Sequence, residues 1–294
     1  MSHFMTSETF GDVRDMQKLK TAVTQSNSQF VIHLAAQAIV LKGYTHARET
    51  FDVNINGTLN VLEASLDAGC ERILVVTTDK VYKDAGKREG YEESDALQGW
   101  DPYAASKAAA DILAQSWLEL YRDKIRVDIA RGGNVIGGGD DSEFRLVPDI
   151  EKAVTLGLPV TLRNSAQVRP WQHALDCLDG YLAIANGVNG DVNTWNVGPS
   201  NNDSQLSVEE FSKLYLDRRG SNTSILTTEQ QSKETEFLRL DSSRILRELA
   251  WQPRWNSQRA ISMTAKWHKR VADGESTRDV TFSQVEDYLE RNAL

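Results

Sequence analysis

Cysteine is nearly missing from this chain: Cys70 and Cys177 are the only two in 294 residues. That is too few for a disulfide framework or a cysteine-rich zinc site, so no metal is expected, and a reducing, cytoplasmic compartment is. Positive charge is in deficit, with Lys+Arg 33 against Asp+Glu 42 and a net charge of −9. Such a balance argues against nucleic acid as a partner, while single basic residues can still serve a phosphate-bearing small molecule. No run approaches the roughly 20 apolar residues of a membrane span, and the opening MSHFMTSETFGD lacks the charged-then-apolar layout of a signal peptide. Internal repeats and long low-complexity linkers are absent as well. What remains is ordinary globular material: with the 19 glycines added to the hydrophobic 40%, the apolar share is about 46%. The length suits about two domains.

Short apolar runs alternate with amphipathic stretches from about Gln29, the pattern of a parallel sheet covered by helices. Phe30 to Ala36 reads as a buried strand ending in a loop. Leu59, Leu62 and Leu66 then recur at helical spacing before Gly69, a plausible stop. Arg72 to Thr78 is the next strand, an alanine-rich helix starts at Pro102, and Ile125 to Arg131 alternates cleanly as a third strand. Beyond Asn134 the texture changes to a glycine run, a helix at IEKAVTLG, a short strand at PVTLR and a helix at VEEFSKLYLDRR, with polar residues crowding 200–236. This predicts an α/β fold with one domain over 1–135 and a smaller one mainly over 136–294, some segments of which return to the first.

Chemistry concentrates in two strings. Tyr103 and Lys107 stand four apart on one predicted helix, hence on one face. A phenol titrates near 10, so it serves as a base near neutrality only where a cation favours the phenolate, which Lys107 can supply. Thr77 and Thr78 end a strand, and Asp79-Lys80 follows directly. Any long helix offers Tyr and Lys at this spacing by chance, and an Asp-Lys pair after a strand is commonly a solvated turn. The order strand-Thr, then helix-Tyr-Lys within a βαβ series gives both strings weight.

At this point the chain resembles the extended short-chain dehydrogenase/reductases. HLAAQ at 33–37, NINGTLNVLEA at 54–64, TTDKVY at 77–82, DPYAASKAAAD at 101–111, RGGNVIGGGD at 131–140, RLVPD at 145–149, RPWQH at 169–173 and LDSSRILRELAWQPRW near the C-terminus are similar to the CDP-glucose 4,6-dehydratases of the NAD-dependent epimerase/dehydratase family. The resemblance covers the chain from Gly11 onward. It implies a Rossmann-type sheet, NAD as cofactor, a nucleotide-sugar substrate, and a homodimer through the helices at 57–68 and 102–121. Ala104, Ala108 and Ala110 on the second helix suit either that contact or close packing on the sheet.

The same resemblance implies roles. Tyr103 is the base at the sugar O4, Lys107 supports it and holds the ribose, and Thr78 hydrogen-bonds O4. Asp79 protonates the departing C6 hydroxyl and Lys80 takes the C5 proton, where many related dehydratases place a glutamate. Asp12 and Val13 flank adenine, while His33, Leu34, Ala35 and Thr77 lie along the cofactor. Asn134, Arg145, Leu146, Arg163 and Arg169 bind the nucleotide side of the substrate. Asn54 is a helix-start residue, either a cap or a cofactor contact. Gly137 to Gly139 follow the wrong strand for a dinucleotide turn and lack the G-x-G-x-x-G spacing, which assigns them to the substrate side. The family's glycine-rich turn is not found ahead of Gly11, so the expectation is a dinucleotide domain short of its first βα unit. Leu41, Gly43, His46 and Asp141 also depart from the family pattern. Two other readings stay open: a non-catalytic sugar-nucleotide-binding remnant, and a 4-epimerase or reductase needing Tyr103 and Lys107 without Asp79-Lys80.

Overall fold

The computed structural model describes residues 5–187, 193–228 and 235–290. Helix α1 (Met16–Ser26) begins where the Asp15 carboxylate accepts from Lys18 N and ends at Asn27 in the left-handed region. The sequence reading assigns nothing here; the missed signal is the Asp15 cap with Leu19 and Val23 on one face, both of which pack on the core. Strand β1 (Phe30–His33) follows, then short helices α2 (Val40–Thr45) and α3 (Ala47–Phe51), a widened π-type turn at Asp52–Asn56, and α4 (Gly57–Asp67). Strand β2 (Arg72–Thr78) leads into a tight 3₁₀ turn at Asp79–Val81; α5 (Pro102–Tyr121) and β3 (Arg126–Gly132) come next. The Asp101 carboxylate accepts from Ala104 N and Pro102 occupies the first turn, which is why α5 starts where it does.

With β8 (Thr194–Val197), these strands form a four-stranded sheet in the order β1-β2-β3-β8, β1 running parallel to β2 from Phe30↔Arg72 to His33↔Val75. The expected buried strand over 30–36 is corrected in two ways. It ends at His33, and as the sheet's edge it buries only His33, leaving Ile32 exposed. Ile73, Val75, Val127 and Ile129 form the core with Val61, Leu62 and Ala114. Ala104, Ala108 and Ala110 are buried within the chain itself, so their small size serves packing.

The remaining elements are β4 (Asn134–Ile136), α6 (Leu146–Leu156), β5 (Val160–Leu162), β6 (Val168–Arg169), β7 (Trp171–His173), α7 (Ala174–Asn186), β9 (Leu206–Ser207), α8 (Val208–Arg219), β10 (Ile225–Thr227), α9 (Ser243–Leu249), α10 (Ser257–Ala272) and α11 (Thr277–Glu290). β4 pairs parallel with β7 and β5 with β10, while β6 and β9 are antiparallel. Ile136, Ile150, Leu162, Trp171, Phe211, Tyr215 and Ile261 share one core. Helix α8 matches the expected VEEFSKLYLDRR and carries a capping box between Ser207 and Glu210. Part of the polar stretch at 200–236, residues 229–234, lies outside the described residues.

Contacts divide the chain into two units, one holding residues 1–83, 95–131 and 184–195, the other 84–94, 132–183 and 196–294. The sequence-based boundary at 135/136 lies close to the division at Arg131/Gly132. Residues 84–94 join the second unit because Tyr91 N donates to Arg239 O and Asp241 N to Tyr91 O. In the first unit, Arg72 donates to the carbonyls of Ala185 and Gly187 while its Nε holds the buried Asp128 at 2.7 Å.

The glycine run proves to be a packing device. A Cβ on Gly138 would stand 2.0 Å from the Trp267 ring, and that ring is buried with its Nε1 donating to Thr281 Oγ1 at 2.9 Å, so it cannot swing away. Gly138→Ala should therefore lower stability by about 1–3 kcal/mol; thermal melting within a degree of the parent would contradict this contact.

Candidate functional site

Three consecutive β2 residues organise the first unit's polar centre. The Val76 carbonyl accepts from Lys107 Nζ at 2.6 Å. Thr77 Oγ1 donates to Asp111 Oδ2 at 3.0 Å. Thr78 Oγ1 donates to Asp79 Oδ1 at 2.9 Å and caps the 79–81 turn by accepting from Lys80 N. Helix α5, with Tyr103 and Lys107, packs on both β2 and this turn. The structure thus gathers Thr78, Asp79, Lys80, Tyr103 and Lys107 around one strand end, with Asp79 and Lys107 buried and Lys80 and Tyr103 half-buried. Thr77 differs from its expected role: its hydroxyl is spent on Asp111, on the opposite side of the strand from Thr78.

Burial of Lys107 pushes its ammonium down to about 8, with Asp111 one turn later acting in the opposite direction. Asp111 is fully buried and heavily engaged. It accepts from Arg131 Nε and Nη2, each at 2.8 Å, and from Gln115 Nε2 at 2.6 Å besides Thr77. Burial opposes the Arg131 charge, but the hydrogen bonds and charge of Asp111 outweigh it and hold the guanidinium protonated. Sequence reasoning missed this pair. Its signal was Asp111 itself, four residues after Lys107.

Around the carboxyl end of β1, His33 is buried, and burial followed by the Lys107 charge lowers it to about 3. It is neutral at physiological pH. Thr58 Oγ1 gives its single proton to Asn54 O at 2.7 Å, so it accepts from His33 Nε2–H at 3.0 Å, which fixes the tautomer. Leu34 and Ala35 are exposed beyond the strand end, the side on which open α/β sheets bind ligands. Asp12 is occupied by Arg14, whose hydrogen bonds draw the exposed carboxyl down to about 2. The Val13 carbonyl accepts from Asn60 Nδ2 at 2.9 Å, and its side chain covers Gly57 at the start of α4.

Asn54 is no helix cap. It sits buried in the π-type turn, where its Oδ1 accepts from Gln37 N and its Nδ2 donates to Gln37 O and Ser106 Oγ. Ser106 in turn donates to Tyr103 O. The loop after β1 is thereby tied to the first turns of α5, a connection no local spacing announces.

In the second unit, Arg145 and Leu146 stand at the start of α6. Arg145 faces Asp140 at 3.8 Å and Arg163 faces Asp149 at 3.6 Å, both half-exposed and loosely held. Asn134 opens β4 opposite Trp171, its N–H donating to Pro170 O. Arg169 departs from its expected role: it is buried and donates to Val168 O, Thr235 O and Gln167 Oε1, so its guanidinium serves the protein. Among the described residues no cluster suited to a metal ion occurs, and no helix is long and apolar enough to cross a membrane.

A lysine held at about 8 rather than 10.5 carries a penalty of about 3 kcal/mol while charged. The unfolded chain binds this proton more tightly, so the penalty is full below pH 8 and relaxes as pH rises through 8 to 10.5. Lys107→Met should melt above the parent at pH 7, with the gap narrowing over that window; equal melting at pH 7 would refute the desolvated ammonium.

A family model described as GDP-mannose 4,6 dehydratase matches residues 5–264. The CDP-glucose 4,6-dehydratase of Salmonella typhimurium is 32% identical over 292 residues, covering 95% of this chain and 81% of that protein. The mouse dTDP-D-glucose 4,6-dehydratase is 28% identical, with 88% and 73% covered. Among solved structures, the Thermotoga maritima UDP-glucose 4-epimerase with UDP-glucose superposes with a TM-score of 0.81 at 20% identity, covering 89% of this chain and 84% of that one. The Streptomyces venezuelae dTDP-glucose 4,6-dehydratase, solved with NAD, superposes at 0.76 with 26% identity and coverage of 88% and 78%. The fold is Rossmann-type α/β with a parallel sheet, and with the family model spanning most of its length, the chain belongs to the GDP-mannose 4,6 dehydratase family.

Proposed function

We propose that the chain dehydrates CDP-glucose to CDP-4-keto-6-deoxyglucose, using NAD that the reaction itself regenerates. The observation that carries the reading is the joint placement, at one strand end, of the buried Lys107 below Tyr103 and of the Thr78–Asp79–Lys80 turn packed on the same helix. Choice of CDP-glucose is supported by the 32% identical relative, which acts on that sugar nucleotide. An epimerase has no use for the Asp79-Lys80 pair.

The donor set suits a nicotinamide riboside. Lys107 Nζ carries three N–H groups, one of them used on Val76 O, which leaves donors for ribose hydroxyls. The exposed backbone at Leu34 and Ala35 suits the rest of the dinucleotide, beside His33 and with Asp12 and Val13 toward the adenine. When bound, NAD would supply a two-electron store, filled by the hydride from C4 and emptied onto C6, so that the sugar loses water with no net redox change.

Tyr103 takes the O4 proton, the nearby ammonium of Lys107 favouring the phenolate. Thr78 supplies a hydroxyl to hold O4. Once C4 is a ketone, the C5 proton is acidic, and Lys80 removes it. Asp79 gives its proton to the C6 hydroxyl, which departs as water. The proton on Lys80 returns to C5 as C6 is reduced. On the nucleotide side, Arg145 and Arg163 flank the start of α6, where helix dipole and guanidinium together favour the diphosphate, with Leu146 next to Arg145 in the chain and Asn134 on β4. Arg169 is the weakest of the expected contacts because its donors are engaged.

A homodimer is part of the same reading, supported by exposed Ile112 and Leu120 on α5; sedimentation of the purified chain as a monomer would refute it. A cytoplasmic location and a role in deoxysugar supply for polysaccharides accord with two free, buried thiols.

Purified chain with NAD and CDP-glucose should form a 4-keto-6-deoxy product, read by its alkaline absorbance. Lys80→Met should still oxidise C4, trapped by borohydride as a mixture of gluco and galacto sugars, yet form no deoxy product. Recovery of CDP-galactose alone from the parent, or normal dehydration by Lys80→Met, would sink the assignment.

A further inference from the structure

We propose that Tyr82 and Arg131 form a brace setting the Asp79–Lys80 turn in register with the helix that carries Tyr103 and Lys107, which makes Tyr82 a positioning residue for the elimination half of the reaction. This rests on the function proposed above. Tyr82 is the first residue beyond the 79–81 turn and is buried. Its phenol oxygen accepts from Arg131 Nη1 at 3.0 Å, and the guanidinium carbon lies 5.0 Å from the ring centroid. The other edge of the same guanidinium is clamped on Asp111 through Nε and Nη2, both at 2.8 Å. Asp111 belongs to α5, one turn beyond Lys107. A rigid planar fork thus runs from the turn to the helix without a flexible joint between them.

Charge neutrality does not require the phenol. Asp111 already balances Arg131 and draws further hydrogen bonds from Thr77 and Gln115. Packing does not require it either, since a phenylalanine ring would fill the same space and keep the cation over its face. What the hydroxyl adds is a directional contact on the turn. The backbone supplies a second hold, with Lys83 N donating to Ala96 O at 2.7 Å and Gln98 N to Val81 O at 2.8 Å, from the segment that leads into α5. Together these fix where Asp79 and Lys80 stand relative to Tyr103.

The chemistry divides along the same line. Oxidation at C4 draws its base and supporting cation from α5 and its O4 contact from Thr78 at the end of β2, so it uses no side chain of the 79–81 turn. Elimination needs Lys80 at C5 and Asp79 at the C6 oxygen while Tyr103 holds C4, so it needs the turn and the helix in register. Small misplacements of reacting groups cost rate steeply, by factors of about 100 for displacements near 1 Å.

Tyr82→Phe tests this by separating the two halves. Elimination should slow by about tenfold, so that a deuterium isotope effect from C5-labelled CDP-glucose grows while the C4 effect shrinks, and C4 oxidation trapped by borohydride in a single turnover stays at the parent rate. Arg131→Lys, which keeps the charge on Asp111 but loses the fork, should move the same ratio in the same direction. Hydrogen exchange gives a readout independent of turnover: backbone amides over 79–83 should exchange faster in Tyr82→Phe, with those of α5 unchanged. Oxidation and elimination falling together, an unchanged isotope pattern, or unchanged exchange over 79–83 would each overturn the brace. A parent chain inactive on CDP-glucose would overturn the proposed function, and the exchange result would then decide the brace by itself.

Discussion

A lysine ammonium almost without water is the costliest group in the first unit, and much of the surrounding structure is a response to it. In the proposed reaction nothing neutral could play its part, since a phenol becomes a base near pH 7 only beside a positive charge. The Val76 carbonyl takes one of its protons, and Asp111 offsets part of its charge from one helical turn away. A free carboxylate there would raise the lysine toward its ordinary range. Arg131 prevents this by claiming both Asp111 oxygens. Burial keeps His33 neutral, the nearby ammonium adds to that effect, and the ring donates from Nε2 to Thr58.

Strand geometry distributes these duties. Successive side chains on a strand point to opposite faces, so Thr77 and Thr78, chemically identical, are assigned different work. Thr77 serves the Asp111–Arg131 pair, whereas Thr78 faces the turn that carries Asp79 and Lys80. The carbonyl between strand and side chain, that of Val76, goes to Lys107. A shift of one residue in the pairing of β2 would exchange the two threonines and dismantle the whole centre. Parallel pairing with β1 from Phe30↔Arg72 to His33↔Val75 is thus a functional constraint as well as a structural one.

The sequence discloses local relations well and distant ones poorly. The Tyr103–Lys107 spacing, the helix start at Pro102, and the span of α8 all follow from residues within a few positions of one another, and all appear where expected. The partners of Arg131, 20 residues back at Asp111, and of Asn54, 52 residues on at Ser106, depend on which surfaces the fold brings together. Periodicity reports that a face is apolar without naming what covers it. That is why β1 reads as a buried strand from its apolar run yet lies at an edge, and why Gly138 reads as a loop residue near substrate yet exists to admit Trp267. Arg169 shows the same limit for charge. An arginine in a family motif suggests an anion, but burial converts its donors into internal fasteners for the carbonyls of Val168 and Thr235.

That difference among arginines bears on how the second unit can recognise a charged ligand. Displacing Arg169 toward phosphate would give up its bonds to Val168 O, Thr235 O and the buried Gln167 Oε1, and a buried acceptor left without its donor costs on the order of 1–3 kcal/mol. Arg145 and Arg163 face carboxylates across 3.8 and 3.6 Å and remain about two-fifths exposed, where an ion pair is worth at most about 1 kcal/mol. For Arg145, exchanging Asp140 for a phosphate oxygen would sacrifice little and gain a charge-assisted contact beside a helix N-terminus.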